Sequence, residues 1–97
     1  SVNKDQKIIR EIINSIMCNY YVDIKTIAKK YNLQASELYN LIKFKKDNLD
    51  DFIEDEILEF KQDIISVKES GRLFTRNIAM RFDPLIDQKI GSYSNTV

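Results

Sequence analysis

The sequence predicts an α+β fold that is mostly helical. Three observations predict it. Apolar residues recur at helical spacing in three successive segments up to Ile42, two short apolar runs lie close together between Ile57 and Val67, and a last amphipathic stretch follows Gly71. Helix, helix, helix, hairpin is the order in which a winged-helix domain closes a three-helix core with a small sheet. The expectation is therefore a winged-helix-like three-helix core with a small β-hairpin and a final helix. Such a fold is a scaffold and does not name a function.

The first helix rests on Ile8, Ile9, Ile12, Ile13, Ile16 and Met17, which form one stripe at a period of 3.6. The second follows Asp23, whose carboxylate suits an N-cap, and carries Ile24, Ile27, Ala28 and Tyr31. Asn32, which tolerates a left-handed backbone, ends it. The third is expected to start near Ser36, capped by Ser36, with Leu38, Leu41 and Ile42 inward; the pattern does not fix its end. Leu49, Phe52 and Ile53 extend helical spacing to about Asp55, as a continuation or as a short fourth helix. Ile57 to Phe60 and Ile64 to Val67 read as a hairpin across Lys61, Gln62 and Asp63. Glu69, Ser70 and Gly71 break the strand, and Arg72 to Asp83 reads as one helix with Leu73, Phe74, Ile78 and Phe82 on one side and Pro84 after its end. Residues 1–90 are thus expected to form a single domain and residues 91–97 an extended polar tail.

A chain of 97 residues accommodates one core. Hydrophobic residues at 43% and charged residues at 31% are the proportions of a globular protein. The longest uncharged run, Ile12 to Val22, is broken by Asn14, Ser15 and Asn19 and falls short of the roughly 20 apolar residues that a bilayer requires, so no membrane partner is expected. The single cysteine and the absence of a signal-peptide pattern lead to the expectation of a cytoplasmic location. Opening on Ser1 instead of Met is what a piece of a longer protein would show.

The formal net charge of zero hides an uneven distribution. Ser1 to Lys46 carries nine basic and four acidic residues, Asp47 to Ile65 one basic and eight acidic, and Ser66 to Val97 five basic and three acidic. A basic segment in a helix-turn-helix context raises a DNA-binding reading, with Gln34, Ser36, Tyr39, Asn40, Lys43, Lys45 and Lys46 as its candidates. The acidic stretch that follows opposes phosphate contact, which makes a nucleic-acid partner the weaker reading.

No histidine is present, which removes His acid–base catalysis and His metal ligation. Two glycines cannot form a Gly-rich phosphate loop. One cysteine cannot build a zinc or iron–sulfur site; Cys18, beside the apolar stripe, is expected to be a buried structural thiol. The carboxylates from Asp47 to Asp63 lack EF-hand spacing and read as a solvated face. No catalytic residue, metal site or cofactor is therefore expected within these residues. What remains is Arg72 and Arg76, four apart on the last helix. Arginine suits bidentate capture of carboxylates, and the competing role is a solvated face with a salt bridge to the acidic segment.

Gly71 to Asp83, GRLFTRNIAMRFD, resembles the closing signature of the oxygen-independent coproporphyrinogen III oxidase family of radical S-adenosylmethionine enzymes. Ile13 to Asp23, INSIMCNYYVD, is similar to that family's helix ending in LMCNF, and Tyr93 to Val97, YSNTV, to its C-terminus. The three segments occur in the family's order. The chain departs from the pattern at Asp55 and Glu56, where a Gly is common, and at Lys68 and Glu69, where Thr-Pro is common. The family's CxxxCxxC cluster motif is absent. The resemblance implies the C-terminal accessory domain of such an enzyme, lying beside an N-terminal radical SAM barrel of the same chain and helping to cover the substrate site. It implies a parent that binds a [4Fe–4S] cluster and S-adenosylmethionine and converts coproporphyrinogen III to protoporphyrinogen IX by oxidative decarboxylation, while this portion alone is inactive. Arg72 and Arg76 would then face the substrate's propionates.

Overall fold

A computed structural model describes residues 4–83. Helix α1 (Lys4–Asn19) buries Ile8, Ile12, Ile13 and Ile16, with Ile9 and Met17 half-buried at the margins of the stripe. The element order continues with β1 (Tyr21–Asp23), α2 (Ile24–Lys30), α3 (Ala35–Ile42), a 3₁₀ turn (Lys46–Leu49), α4 (Asp50–Glu54), β2 (Leu58–Lys61), β3 (Ile64–Val67), a second 3₁₀ turn (Glu69–Phe74) and α5 (Thr75–Met80). The result is the expected α+β, mostly helical architecture, with one addition. The sheet has three antiparallel strands in the order β1-β3-β2, so β1 joins the hairpin edge-on. Val22 opposes Ile65, and Phe60 opposes Ile65 from the other side. Strand β1 spans three residues and all its pairing is non-local, so no periodicity announces it.

Local chemistry sets the element ends. The Asp23 carboxylate accepts from the Thr26 N–H at 3.3 Å, as an N-cap should. Asn32 takes a φ of 60°, ending α2 as its residue type allows. Helix α3 starts one residue before the expected Ser36: Gln34 is the cap residue, and the Glu37 carboxylate accepts from its N–H at 2.9 Å. The inward face of α3 is Leu38, Tyr39 and Ile42, whereas Leu41 is exposed. The sheet is the reason. Tyr39 is aimed under the hairpin, its ring edge-on to Phe60 at 6.4 Å and its hydroxyl donating to the Asp63 carboxylate at 2.7 Å, which turns Leu41 away.

The hairpin forms without glycine. Lys61 belongs to β2, so the connection is two residues, Gln62 and Asp63, at φ of 53° and 61°; the positive φ at both is what a type I′ turn demands. Each non-glycine left-handed residue costs roughly 1 to 2 kcal/mol. Asp63 offsets its share, because its carbonyl accepts from the Ile24 N–H at 2.9 Å and its carboxylate takes Tyr39 and, at 3.4 Å, Lys46. Glu56 is also left-handed, with a φ of 58°, at the place where the resembled family often has glycine.

The final segment differs from expectation. Arg72 to Asp83 is not one helix: a 3₁₀ turn through Phe74 hands over to α5 at Thr75. Ile78, Ala79 and Phe82 face the core, Phe82 stacking on Phe44 at 4.3 Å, but Leu73 is 92% exposed and Phe74 42%. A tighter turn rotates both off the apolar side. Cys18 is exposed, not buried. It lies two positions after Ile16, about 200° further round α1, and so points away from the stripe. The tail 91–97, with its YSNTV segment, and Pro84 lie outside the described residues.

Candidate functional site

Three arginines enter the chain between Gly71 and Asp83, and their surroundings divide them. Arg81 is structural. Its guanidinium donates to both Asp51 carboxylate oxygens at 3.0 and 2.8 Å and to the Asn48 carbonyl at 2.6 Å, and it lies 4.3 Å from the Phe52 ring centre. The bidentate fork binds α5 to α4. Arg81 thus makes a salt bridge to the acidic segment.

Arg72 lies in the second 3₁₀ turn, exposed, with its guanidinium 4.6 Å from the centre of the Tyr20 ring. Stacking on an aromatic face fixes the arginine's plane and leaves its edge N–H groups free to donate. Arg76 lies in α5 and is exposed. The two are on consecutive elements, not one above the other on a continuous helix.

Gly71 positions the turn. A Cβ there would lie 2.2 Å from the Ile57 carbonyl oxygen and 2.6 Å from Ile57 Cγ2, so only glycine lets the turn press against the entry to β2. The Ser70 hydroxyl donates to the Glu56 carbonyl at 3.0 Å, and the Lys68 N–H to the Ile57 carbonyl at 2.9 Å. Sequence reasoning singled out Gly71 as the head of a signature but missed both Ile57 and Tyr20 as partners. Tyr20 sits at a φ of 58° between α1 and β1, a junction that carries no local signal.

The acidic stretch is engaged or solvated. Besides Asp51 and Asp63, Glu59 pairs with Lys61 at 3.3 Å and Glu56 with Lys68 at 3.8 Å. Burial alone would raise the Asp63 carboxyl, but bonds from Tyr39 and Lys46 outweigh it and hold the group below the ordinary carboxylate value. A cleft of about 170 Å³ beside Asp63, lined by Lys46, Asp50, Ile53, Phe60 and Gln62, is smaller than the roughly 300 Å³ at which small-molecule sites begin. Among the described residues no group of three or more His, Cys, Asp or Glu could hold a metal ion. A lone exposed thiol does not fit the three-cysteine demand of a radical SAM cluster.

The DNA-binding candidates fare unevenly. Gln34, Ser36, Asn40, Lys43 and Lys45 are exposed, but Tyr39 is buried and Lys46 is held between the Asp63 carboxylate and the Tyr39 ring. No helix among the described residues is long and apolar enough to cross a membrane.

Comparison with known proteins agrees with the segment resemblance. The family model of the HemN C-terminal domain matches residues 2–74. The oxygen-independent coproporphyrinogen III oxidase of Escherichia coli K12 is 34% identical over 94 residues, covering 92% of this chain and 19% of that enzyme. That of Thermostichus vulcanus is 36% identical over 87 residues, covering 84% of this chain and 24% of that enzyme. The solved structure of the Escherichia coli enzyme, described as coproporphyrinogen III oxidase (HemN), a radical SAM enzyme, superimposes with a TM-score of 0.73 at 28% identity, over 84% of this chain and 18% of its own. The chain spans about a fifth of the length of the curated relatives it matches. Matched over most of its length in both sequence and fold, this chain belongs to the HemN C-terminal domain family.

Proposed function

We propose that the chain is the C-terminal accessory domain of an oxygen-independent coproporphyrinogen III oxidase, in which residues 1–90 form one unit that lies beside the radical SAM barrel of the same polypeptide and helps to cover the substrate. The parent reaction removes carbon dioxide from propionate side chains of coproporphyrinogen III to leave the vinyl groups of protoporphyrinogen IX. The cluster and S-adenosylmethionine supply the radical chemistry from elsewhere in the polypeptide, and no residue of this domain takes part in it. The domain excludes water and oxygen from the reacting face and presents cations to carboxylates. The observation that carries this reading is the outward arginine of the signature turn. Arg72 is stacked on Tyr20 with its donors free, in a segment that resembles the family's closing signature, while Arg81 is consumed by Asp51. Arg76 joins it as the second cation toward the propionates.

The test is the parent polypeptide itself. Its reading frame is expected to carry CxxxCxxC upstream of these residues, and the anaerobically cluster-loaded protein to convert coproporphyrinogen III to protoporphyrinogen IX. A parent without that motif, or a loaded parent that cleaves S-adenosylmethionine yet leaves coproporphyrinogen untouched, would defeat the assignment. Salt-sensitive duplex-DNA binding by the 97-residue chain would move it to the winged-helix DNA-binding class.

A further inference from the structure

Leu73 is the most exposed of the large apolar side chains described, at 92%, and its neighbour Phe74 is 42% exposed. A single exposed leucine is ordinary. This one is held outward by a built turn. Gly71 lets the segment close on Ile57, the Gly71 N–H donates to the Lys68 carbonyl at 2.8 Å, Ser70 bonds the Glu56 carbonyl, and the Thr75 hydroxyl donates to the Arg72 carbonyl at 3.4 Å. Arg72, next to Leu73, is pinned to the Tyr20 ring. Arginine, tyrosine and phenylalanine are among the residue types that interfaces favour, and here they flank an outward leucine.

From these observations we infer that the second 3₁₀ turn, through Leu73 and Phe74, is the seat of the domain on the catalytic portion of its own polypeptide, with Arg72 at the rim of the contact. The inference rests on the proposed parent enzyme and names the face that meets it. Size selects the occupant. Two apolar side chains and an arginine make a patch far smaller than the roughly 1,200 Å² at which specific interfaces between separate proteins begin, so a second copy or a free partner would not be held. A tethered partner needs much less, because a short linker sets an effective concentration on the order of millimolar. In the relatives most of the polypeptide lies outside the region this chain matches, which supplies such a partner. The apolar pair calls for an apolar hollow on the catalytic portion, while Arg72 at the rim keeps its donors turned toward the substrate.

Hydroxyl-radical footprinting read by mass spectrometry tests the seat, because it labels leucine and phenylalanine side chains according to their exposure. Leu73 and Phe74 should be labelled about tenfold more slowly in the full-length protein than in the 97-residue chain, as exposure falls from 92% toward core values. Leu73→Asp should restore fast labelling of Phe74 in the full-length protein and leave the melting temperature of the 97-residue chain unchanged, which a residue serving only this domain's own stability would not do. Equal labelling in both proteins, with CxxxCxxC present upstream, overturns the seat and leaves the parent enzyme standing. A reading frame without CxxxCxxC removes the parent and the seat together. Protection that rises with concentration in the 97-residue chain alone assigns the face to a second copy and overturns the inference.

Discussion

At Gly71 the absence of one methyl group decides where the signature turn sits. Gly71→Ala would drive a Cβ to 2.2 Å from a backbone oxygen that cannot swing aside, so the turn must lift from Ile57. Overpacking of this kind costs about 1 to 3 kcal/mol, expected as a lowered urea midpoint at constant m-value. An unchanged midpoint would show that the close approach is not maintained. The need for glycine is not visible in the sequence, because Ile57 lies 14 positions away and the glycine φ is not positive. Arg81 is a similar case. The sequence offers four arginines and many carboxylates, and only the folded chain shows that Asp51 pairs with Arg81. Cys18 was misread for a simpler reason, since proximity to an apolar stripe is not membership of it.

At the scale of elements, α1 was the most legible part because its isoleucines serve only one surface. Ile12 and Ile16 are fully buried while Lys4 is exposed. Ile12→Ala or Ile16→Ala should cost about 2 to 5 kcal/mol in chemical unfolding, and Lys4→Ala no more than about 0.5 kcal/mol. Comparable losses at the two kinds of site would mean that α1 packs by a different face. Junctions were less legible. Tyr20, Lys43, Glu56, Gln62 and Asp63 all adopt positive φ without being glycine or asparagine, so only Asn32 announced its turn. Tertiary bonds stand in for the missing glycines at the hairpin, through Asp63 to Ile24, Tyr39 and Lys46. Strand β1 and the break of the last helix at Thr75 follow from contacts far along the chain and left no local pattern.

Across the whole molecule, ionisable pairs join elements distant in sequence and set the pH range of stability. Glu11 on α1 is held below its ordinary value by Lys30 and then by Tyr31, Asp51 by Arg81, and Asp63 by Tyr39 and Lys46 against its own burial. Carboxylates depressed in the folded state contribute fully above their unfolded values of about 4 and lose that contribution as pH falls through the folded ones. The melting temperature should therefore drop below about pH 4. Burial first, and then the bond to Asp63, raise the Tyr39 phenol far above its ordinary value. A raised acid contributes below its unfolded value and loses stability as pH climbs, so a second decline should begin near pH 10, and Tyr39→Phe should reduce it, leaving the share of Tyr31, which its bond to Glu11 also raises. A melting temperature level from pH 3 to 11 would contradict both arms.

The role of the domain in the parent enzyme is tested most directly by steady-state kinetics of the full-length, cluster-loaded protein in which Arg72 and Arg76 are both replaced by alanine. The expected result is a KM for coproporphyrinogen III raised at least about tenfold, with cluster content unaltered. Lysine at both positions should restore only part of the loss, because it keeps the charge but not the bidentate fork. Unchanged KM and turnover in the double-alanine protein would contradict a substrate-facing role for these arginines.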